Sequence, residues 1–267
     1  YDSNVKAVPT ELLKAGDISD KSDSRGVFSL YGERKVSISD SFSLGVNYAF
    51  FQSLHKKLTE FDIQNHAPGA FAAYQSGTTE YKLQYNYTKI FLGGSKLLAT
   101  HGVSPTVTLS STPSQMTQVS YLYERKHSYR SRDEDANSHS ARVNVFFFFD
   151  EAKKVVHVGG SYKAEKATGP QFDFRQGEGS LGVEVPLSPK LKISGDGSVV
   201  RKVFDNVDTT ANLKRADWTL TGSVKLTKEL SKLLSVSAGY TRVQNKSNIA
   251  ATDYNQNIVS LTLMGNF

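Results

Sequence analysis

Cysteine is absent from the 267 residues, which excludes a disulfide scaffold, a thiolate zinc site and a cysteine nucleophile. Tryptophan occurs once and proline seven times. No stretch approaches the roughly 18 consecutive apolar residues of a membrane-crossing helix, so none is expected. No secretory leader is visible either, and the opening Tyr1 reads as the start of a processed or trimmed product. Hydrophobic residues are sparse at 38%, yet 15 Phe and 13 Tyr raise the aromatic share to 11%. Neither sign of charge dominates, with 32 Lys and Arg against 26 Asp and Glu. Composition leaves a soluble all-β protein or a membrane β-barrel, and patterning decides between them.

Apolar residues alternate with polar or small ones along nearly the whole chain, the signature of strands. Phe42, Leu44, Val46, Tyr48 and Phe50 alternate with Ser43, Gly45, Asn47 and Ala49. Tyr81, Leu83, Tyr85 and Tyr87 oppose Glu80, Lys82, Gln84 and Asn86. Trp218, Leu220, Gly222, Val224 and Leu226 oppose Thr219, Thr221, Ser223 and Lys225, and the chain closes on Val259, Leu261, Leu263, Gly265 and Phe267 in step. Helical periodicity is absent beyond at most one turn near residues 10–15.

Connectors alternate in length. Short polar turns fall near residues 37–41, 76–79, 111–115, 150–154, 188–190 and 228–232, and longer segments near 57–66, 93–101, 130–138, 167–171, 206–215 and 246–254. An up-and-down outer-membrane barrel has this arrangement, with short periplasmic turns and longer extracellular loops. The runs number about thirteen. With residues 1–24 as the remnant of a first strand and the first long extracellular loop, the expectation is a single barrel over 1–267 of about 14 strands. A soluble sandwich fits less well, because its strands average about 5–6 residues. Here the alternating runs last roughly 9–14, the length a tilted strand needs to cross hydrocarbon. Tyr and Phe gather toward run ends, as in the aromatic girdles that flank a lipid-facing belt. These features place the protein in the outer membrane of a Gram-negative bacterium.

The final strand, stepping through Val259, Leu261, Leu263 and Gly265 to Phe267, resembles the C-terminal signal of bacterial outer-membrane barrels. That likeness implies the barrel assembly machinery as a partner and Phe267 as its recognition residue. A narrower resemblance lies in Tyr1-Asp2-Ser3-Asn4-Val5, in Lys214-Arg215-Ala216-Asp217, and in Ser247-Asn248 followed by Asp253-Tyr254-Asn255-Gln256-Asn257. These segments resemble the C-terminal barrel of proteins that place helical TPR repeats before a barrel, such as the surface lipoprotein assembly modifiers. No TPR repeat lies within the sequence.

By parity, Lys82, Lys126, Arg142, Lys163, Lys192, Lys202 and Lys225 face the lumen, as do Glu80, Glu124, Glu165, Glu178, Glu184 and Asp196. Seven positive against six negative charges make a mixed interior rather than a strong ion filter. Such charges tune selectivity, or pair across neighbouring strands to hold register. The run Phe146-Phe147-Phe148-Phe149 breaks the alternation and turns Phe146 and Phe148 inward, as a periplasmic-end constriction or a contact for something filling the lumen. At the outer ends of the runs, Arg125, Arg130, Arg132, Arg201, Lys214, Arg215, Arg242 and Lys246 form a basic rim. Lipopolysaccharide phosphates are the expected contact there, since arginine forks bind phosphate bidentately, and nucleic acid is not.

Other motifs carry less. Gly177-Glu178-Gly179-Ser180-Leu181-Gly182 matches GxGxxG but lies inside a strand pattern with no helix following. The six His residues are dispersed, without metal-ligand spacing. Asp133, Glu134, Asp135 and Asn137 read as an acidic loop tip before a calcium loop. His139 beside Ser138 and Ser140 is the only pairing suggestive of a hydrolase, so no enzyme, metal or cofactor is expected. Two functions remain open: a pore passing solute or exported polymer, and a structural barrel that sheathes or scaffolds a periplasmic or lumenal partner protein.

Overall fold

A computed structural model describes residues 1–5, 22–208 and 212–265. The turn considered at residues 10–15, most of the first loop and Phe267 lie outside them. Thirteen antiparallel strands follow one another in a single up-and-down sheet. They are β1 (Arg25–Ser37), β2 (Phe42–His55), β3 (Ile63–Ser76), β4 (Thr79–Leu92), β5 (Ser95–Thr112), β6 (Gln115–Ser128), β7 (Ala136–Phe149), β8 (Lys154–Ala167), β9 (Phe174–Ser188), β10 (Leu191–Asp208), β11 (Leu213–Ser231), β12 (Leu234–Ser247) and β13 (Tyr254–Gly265).

Register carries the sequence alternation across the sheet. Leu220 pairs with Val199 on one side and Gln244 on the other, and Thr221 pairs with Ser198 and Val243. A one-residue slip would send each row to the opposite face. The distribution of burial is inverted relative to a soluble protein. Among the described residues the buried apolar set is Leu58, Phe71, Ala73, Ala99, Ala136 and Phe174, while Leu261 is 81% exposed and Leu220 57%. Rows of Leu, Val and Tyr on an outer wall need hydrocarbon rather than water as their solvent, which accounts for strands of 12 to 19 residues.

Residues 93–101 depart from the expected long loop. Gly93 and Gly94 both adopt positive φ, 54° and 78°, the backbone that a two-residue hairpin turn requires and glycine supplies without steric cost. β4 and β5 therefore run on to this turn, and β5 reaches 18 residues.

Among the described residues no ladder joins β13 to β1. Among the described residues the two edges meet at the loop end, through residues 1–4. The Tyr1 amino group bonds the Val259 carbonyl at 2.8 Å, Asp2 and Asp23 exchange N–H···O bonds of 2.9 and 3.0 Å, and Gln256 donates to both carboxylate oxygens of Asp2.

Candidate functional site

Strand parity decides which side chains meet inside. Lys126 on β6 and Lys163 on β8 converge on Glu165, at 2.5 and 3.0 Å. The strand between them permits this because the residue opposite Glu165 is the small Ser138. Glu165 is only 4% exposed. Further along the wall Arg142 lies 3.5 Å from Glu178, which also accepts from the Ser161 hydroxyl at 3.2 Å. Lys192 donates to Glu184 at 3.0 Å, and His157 lies 3.9 Å from Asp196. Lys82 stands 4.0 Å over the Phe71 ring. Glu80, Glu124 and Lys225 share the same face opposite Gln75, Ser138 and Gly239, and make no ion pair among the described residues.

Lys202 is held differently. Its ammonium lies 3.8 Å from the Phe174 ring and 4.7 Å from Phe204, with no carboxylate within ion-pair reach among the described residues. Phe146 packs 5.8 Å from His157, at the short-turn end of the interior, and Phe148 lies on the same face opposite Val155. A side chain at Gly182 would collide with the His157 ring and the Asp196 carboxylate, so that glycine makes room for the pair.

On the outer wall, Arg125 and Arg242 are exposed, as are Arg130, Arg132 and Lys214 near the loops. Arg201 lies 4.8 Å over the Trp218 ring. Arg215 does not belong with this rim. It stands three residues from the outward Trp218 and so takes the opposite face, where it pairs with Asp217 at 2.8 Å and covers Phe204 at 5.1 Å.

The hydrolase pairing dissolves for the same reason of parity. Ser138 is buried on the inner side, whereas His139 points outward to the Tyr121 hydroxyl. Gly177 and Gly182 lie within β9, and among the described residues no cluster of His, Asp or Glu could hold a metal. The acidic loop is committed to capping: Asp135 accepts from the Ser128 backbone at 2.7 Å and from His127 at 3.1 Å.

That cap recurs, and alternation alone does not reveal it. Among the described residues four loops contain a short 3₁₀ turn, Thr59–Phe61, Arg132–Glu134, Pro170–Phe172 and Ala250–Thr252. Each turn ends on an aspartate, Asp62, Asp135, Asp173 or Asp253. Each carboxylate takes a backbone N–H from the end of the preceding strand, at 2.6, 2.7, 2.7 and 2.5 Å respectively. The Ser128 N–H bond, with His127 beside it, holds the Asp135 carboxyl below the usual carboxylate range against the opposing effect of burial. Asp23, although burial works against it, is likewise held low by N–H groups of Leu58, Lys57 and Ser24.

A second recurrent feature stands on the outer wall. His66, His101 and His139 each lie beside a tyrosine hydroxyl, from Tyr48, Tyr85 and Tyr121, and each packs at a tilt against the aromatic ring two residues beyond that tyrosine. Sequence spacing separates the partners by 16 or 18 residues, so only the register brings them together.

Residues 1–267 match the family model described as "Surface lipoprotein assembly modifier". No relative was found among curated proteins. Among solved structures the chain is similar to an anion-selective porin from Comamonas acidovorans, at 7% identity over 90% of this chain and 89% of that one, with a TM-score of 0.55. It is also similar to OmpT, an outer membrane protein of Vibrio cholerae, at 10% identity over 91% and 98%, with a TM-score of 0.52. A Pseudomonas aeruginosa FadL homologue matches at 9% identity over 88% and 75%, with a TM-score of 0.51. Likeness at these identities carries the fold: the sheet is that of an outer-membrane β-barrel.

Proposed function

The chain belongs to the surface lipoprotein assembly modifier family, and from that premise we propose that it is an outer-membrane barrel whose hydrophilic interior passes an exported polypeptide or smaller solute, without chemistry at any residue. One observation carries this: the inner wall pairs Lys126 and Lys163 with Glu165, Arg142 with Glu178, and Lys192 with Glu184. A wall of satisfied ion pairs and hydroxyls is wettable and leaves no dry core. The family's description makes a lipoprotein the favoured cargo or lumenal partner.

In this reading residues 1–4 belong to a strand lying between β13 and β1 that completes an even-stranded barrel. Phe267 is the residue read by the barrel assembly machinery. Arg125, Arg130, Arg132, Arg201, Lys214 and Arg242 meet phosphates of outer-leaflet lipopolysaccharide. Phe146 and Phe148 narrow the periplasmic end of the passage.

Conductance of the purified protein in planar bilayers tests the proposal. Steady open steps support passage. A closed barrel that opens only when a loop or a bound partner is removed supports the alternative, a scaffold that sheathes its partner.

A further inference from the structure

A cavity of about 960 Å³ lies outside the interior. It is a groove on the outer wall beneath the loops, over β4 to β8. Its floor is Ala99, 5% exposed, on the outward parity of β5. Tyr87, Tyr123 and Tyr129 wall it in, and none of the three is loose. Tyr87 packs at a tilt against His101 at 5.0 Å, Tyr123 packs likewise against His139 at 5.2 Å and donates to Asn137 at 3.0 Å, and Tyr129 meets His127 edge-on at 4.9 Å.

Charge in the groove is unevenly spent. Lys166 is engaged by Asp173 at 2.8 Å and Asp205 at 3.5 Å, and Asp135 is occupied by His127 and the Ser128 backbone. Arg125 has no carboxylate within ion-pair reach among the described residues, and it projects outward between the Tyr123 and His127 side chains of its own strand. Toward the short-turn end the wall becomes apolar at once, with Val103, Tyr121 and Val119 all at least 40% exposed. An unspent guanidinium above an aromatic-walled groove that opens onto an apolar wall matches an amphiphile with an anionic head. The planar fork of arginine fits phosphate through two parallel bonds.

We propose that this groove seats one phosphorylated lipid of the outer leaflet, its phosphate on Arg125 and its acyl chains along Val103, Tyr121 and Val119. The proposal rests on the reading that the apolar wall faces lipid, and Trp218 reports that separately. Acyl chains brominated along their length should quench this outward tryptophan when the protein is reconstituted.

Native mass spectrometry of the folded protein, titrated with diphosphoryl lipid A and with its dephosphorylated form, tests the seat. One phosphorylated lipid should be retained, at least about tenfold more tightly than the dephosphorylated one, as expected for charge-assisted hydrogen bonds. Arg125→Gln should abolish that preference, Arg125→Lys should keep part of it, and Lys56→Gln, at an exposed loop-side cation next to β2 and outside the groove, should leave it intact. Equal binding of the two lipids by the wild type overturns the proposal, and this arm stands even where Arg125→Gln fails to fold. Equal losses from Arg125→Gln and Lys56→Gln overturn it too, since diffuse loop-side charge would then suffice, as does full displacement by millimolar inorganic phosphate. Quenching that survives any of these outcomes leaves the lipid-facing wall standing and removes only the seat.

Discussion

The Tyr85 hydroxyl lies 2.7 Å from Nδ1 of His101, across the β4–β5 seam. The same contact joins Tyr48 to His66 at 2.7 Å and Tyr121 to His139 at 2.5 Å, so it recurs on every second seam from β2 to β7. In each case the ring two residues beyond the tyrosine packs against the imidazole at a tilt, with centroids 5.0 to 5.2 Å apart. An imidazole hydrogen-bonded at Nδ1 and packed against an aromatic ring is a polar group made compatible with the interfacial zone, where amphipathic rings collect. Tyr240 and Asn257 form an amide version of the contact at 2.7 Å on β12 and β13. Replacing Tyr85 with Phe should cost about 0.5–1.5 kcal/mol, the value of one such hydrogen bond. The three Tyr→Phe changes should add, because alternate seams share no partner. Urea unfolding from lipid vesicles measures both, and a triple variant as stable as the parent would contradict the assignment.

The two faces of β11 should respond oppositely to charge. Leu220 and Val224 are 57% and 52% exposed on the outer wall, and Thr221 lies between them on the inner side. Leu220→Arg or Val224→Arg should cost about 2–4 kcal/mol near the bilayer midplane, whereas Thr221→Arg should be tolerated. Folding efficiency into lipid of the three variants reads this out. Equal tolerance on both faces would contradict this assignment of outer and inner walls.

Much of this was legible from alternation. A period of two fixes the face of each residue once one anchor is known, and Trp218 supplies that anchor for β11. Arg215 shows the lapse: its position at a run end suggested the rim, while its odd distance from Trp218 already placed it inside. Gly93 and Gly94 were equally readable, since adjacent glycines meet the positive φ demanded at both places of a tight hairpin turn. The aspartate caps and the Tyr–His contacts were not readable, because they depend on loop closure and on the register of separate strands. Alternation specifies a face, not a neighbour.

Removing the carboxylate shared by Lys126 and Lys163 should change selectivity more than architecture. Glu165→Gln leaves two ammonium groups that both lay within 3.0 Å of it, and it raises the charge of the inner wall by one. Reversal potentials under a salt gradient should move toward anions. Lost hydrogen bonds to a charged group should lower stability by about 1–3 kcal/mol, with the barrel still assembling. An unchanged reversal potential would mean that ions do not pass this part of the wall.

The loop caps should loosen in acid. Asp135 has its carboxyl held low by the Ser128 N–H, so the folded state binds a proton there less readily than the unfolded chain does. For a depressed carboxyl, the stabilisation is fully present above the unfolded value of about 4 and is lost as pH falls through the folded one. Protection of the Ser128 amide, corrected for its intrinsic exchange rate, should hold from pH 7 to about 5 and decline below about 4. Asp135→Asn should give weaker protection at neutral pH and flatten the acid decline, since the amide oxygen still accepts but carries no charge to lose. Protection that persists unchanged at pH 3 in the parent chain would show that the carboxylate is not what holds the loop to β6.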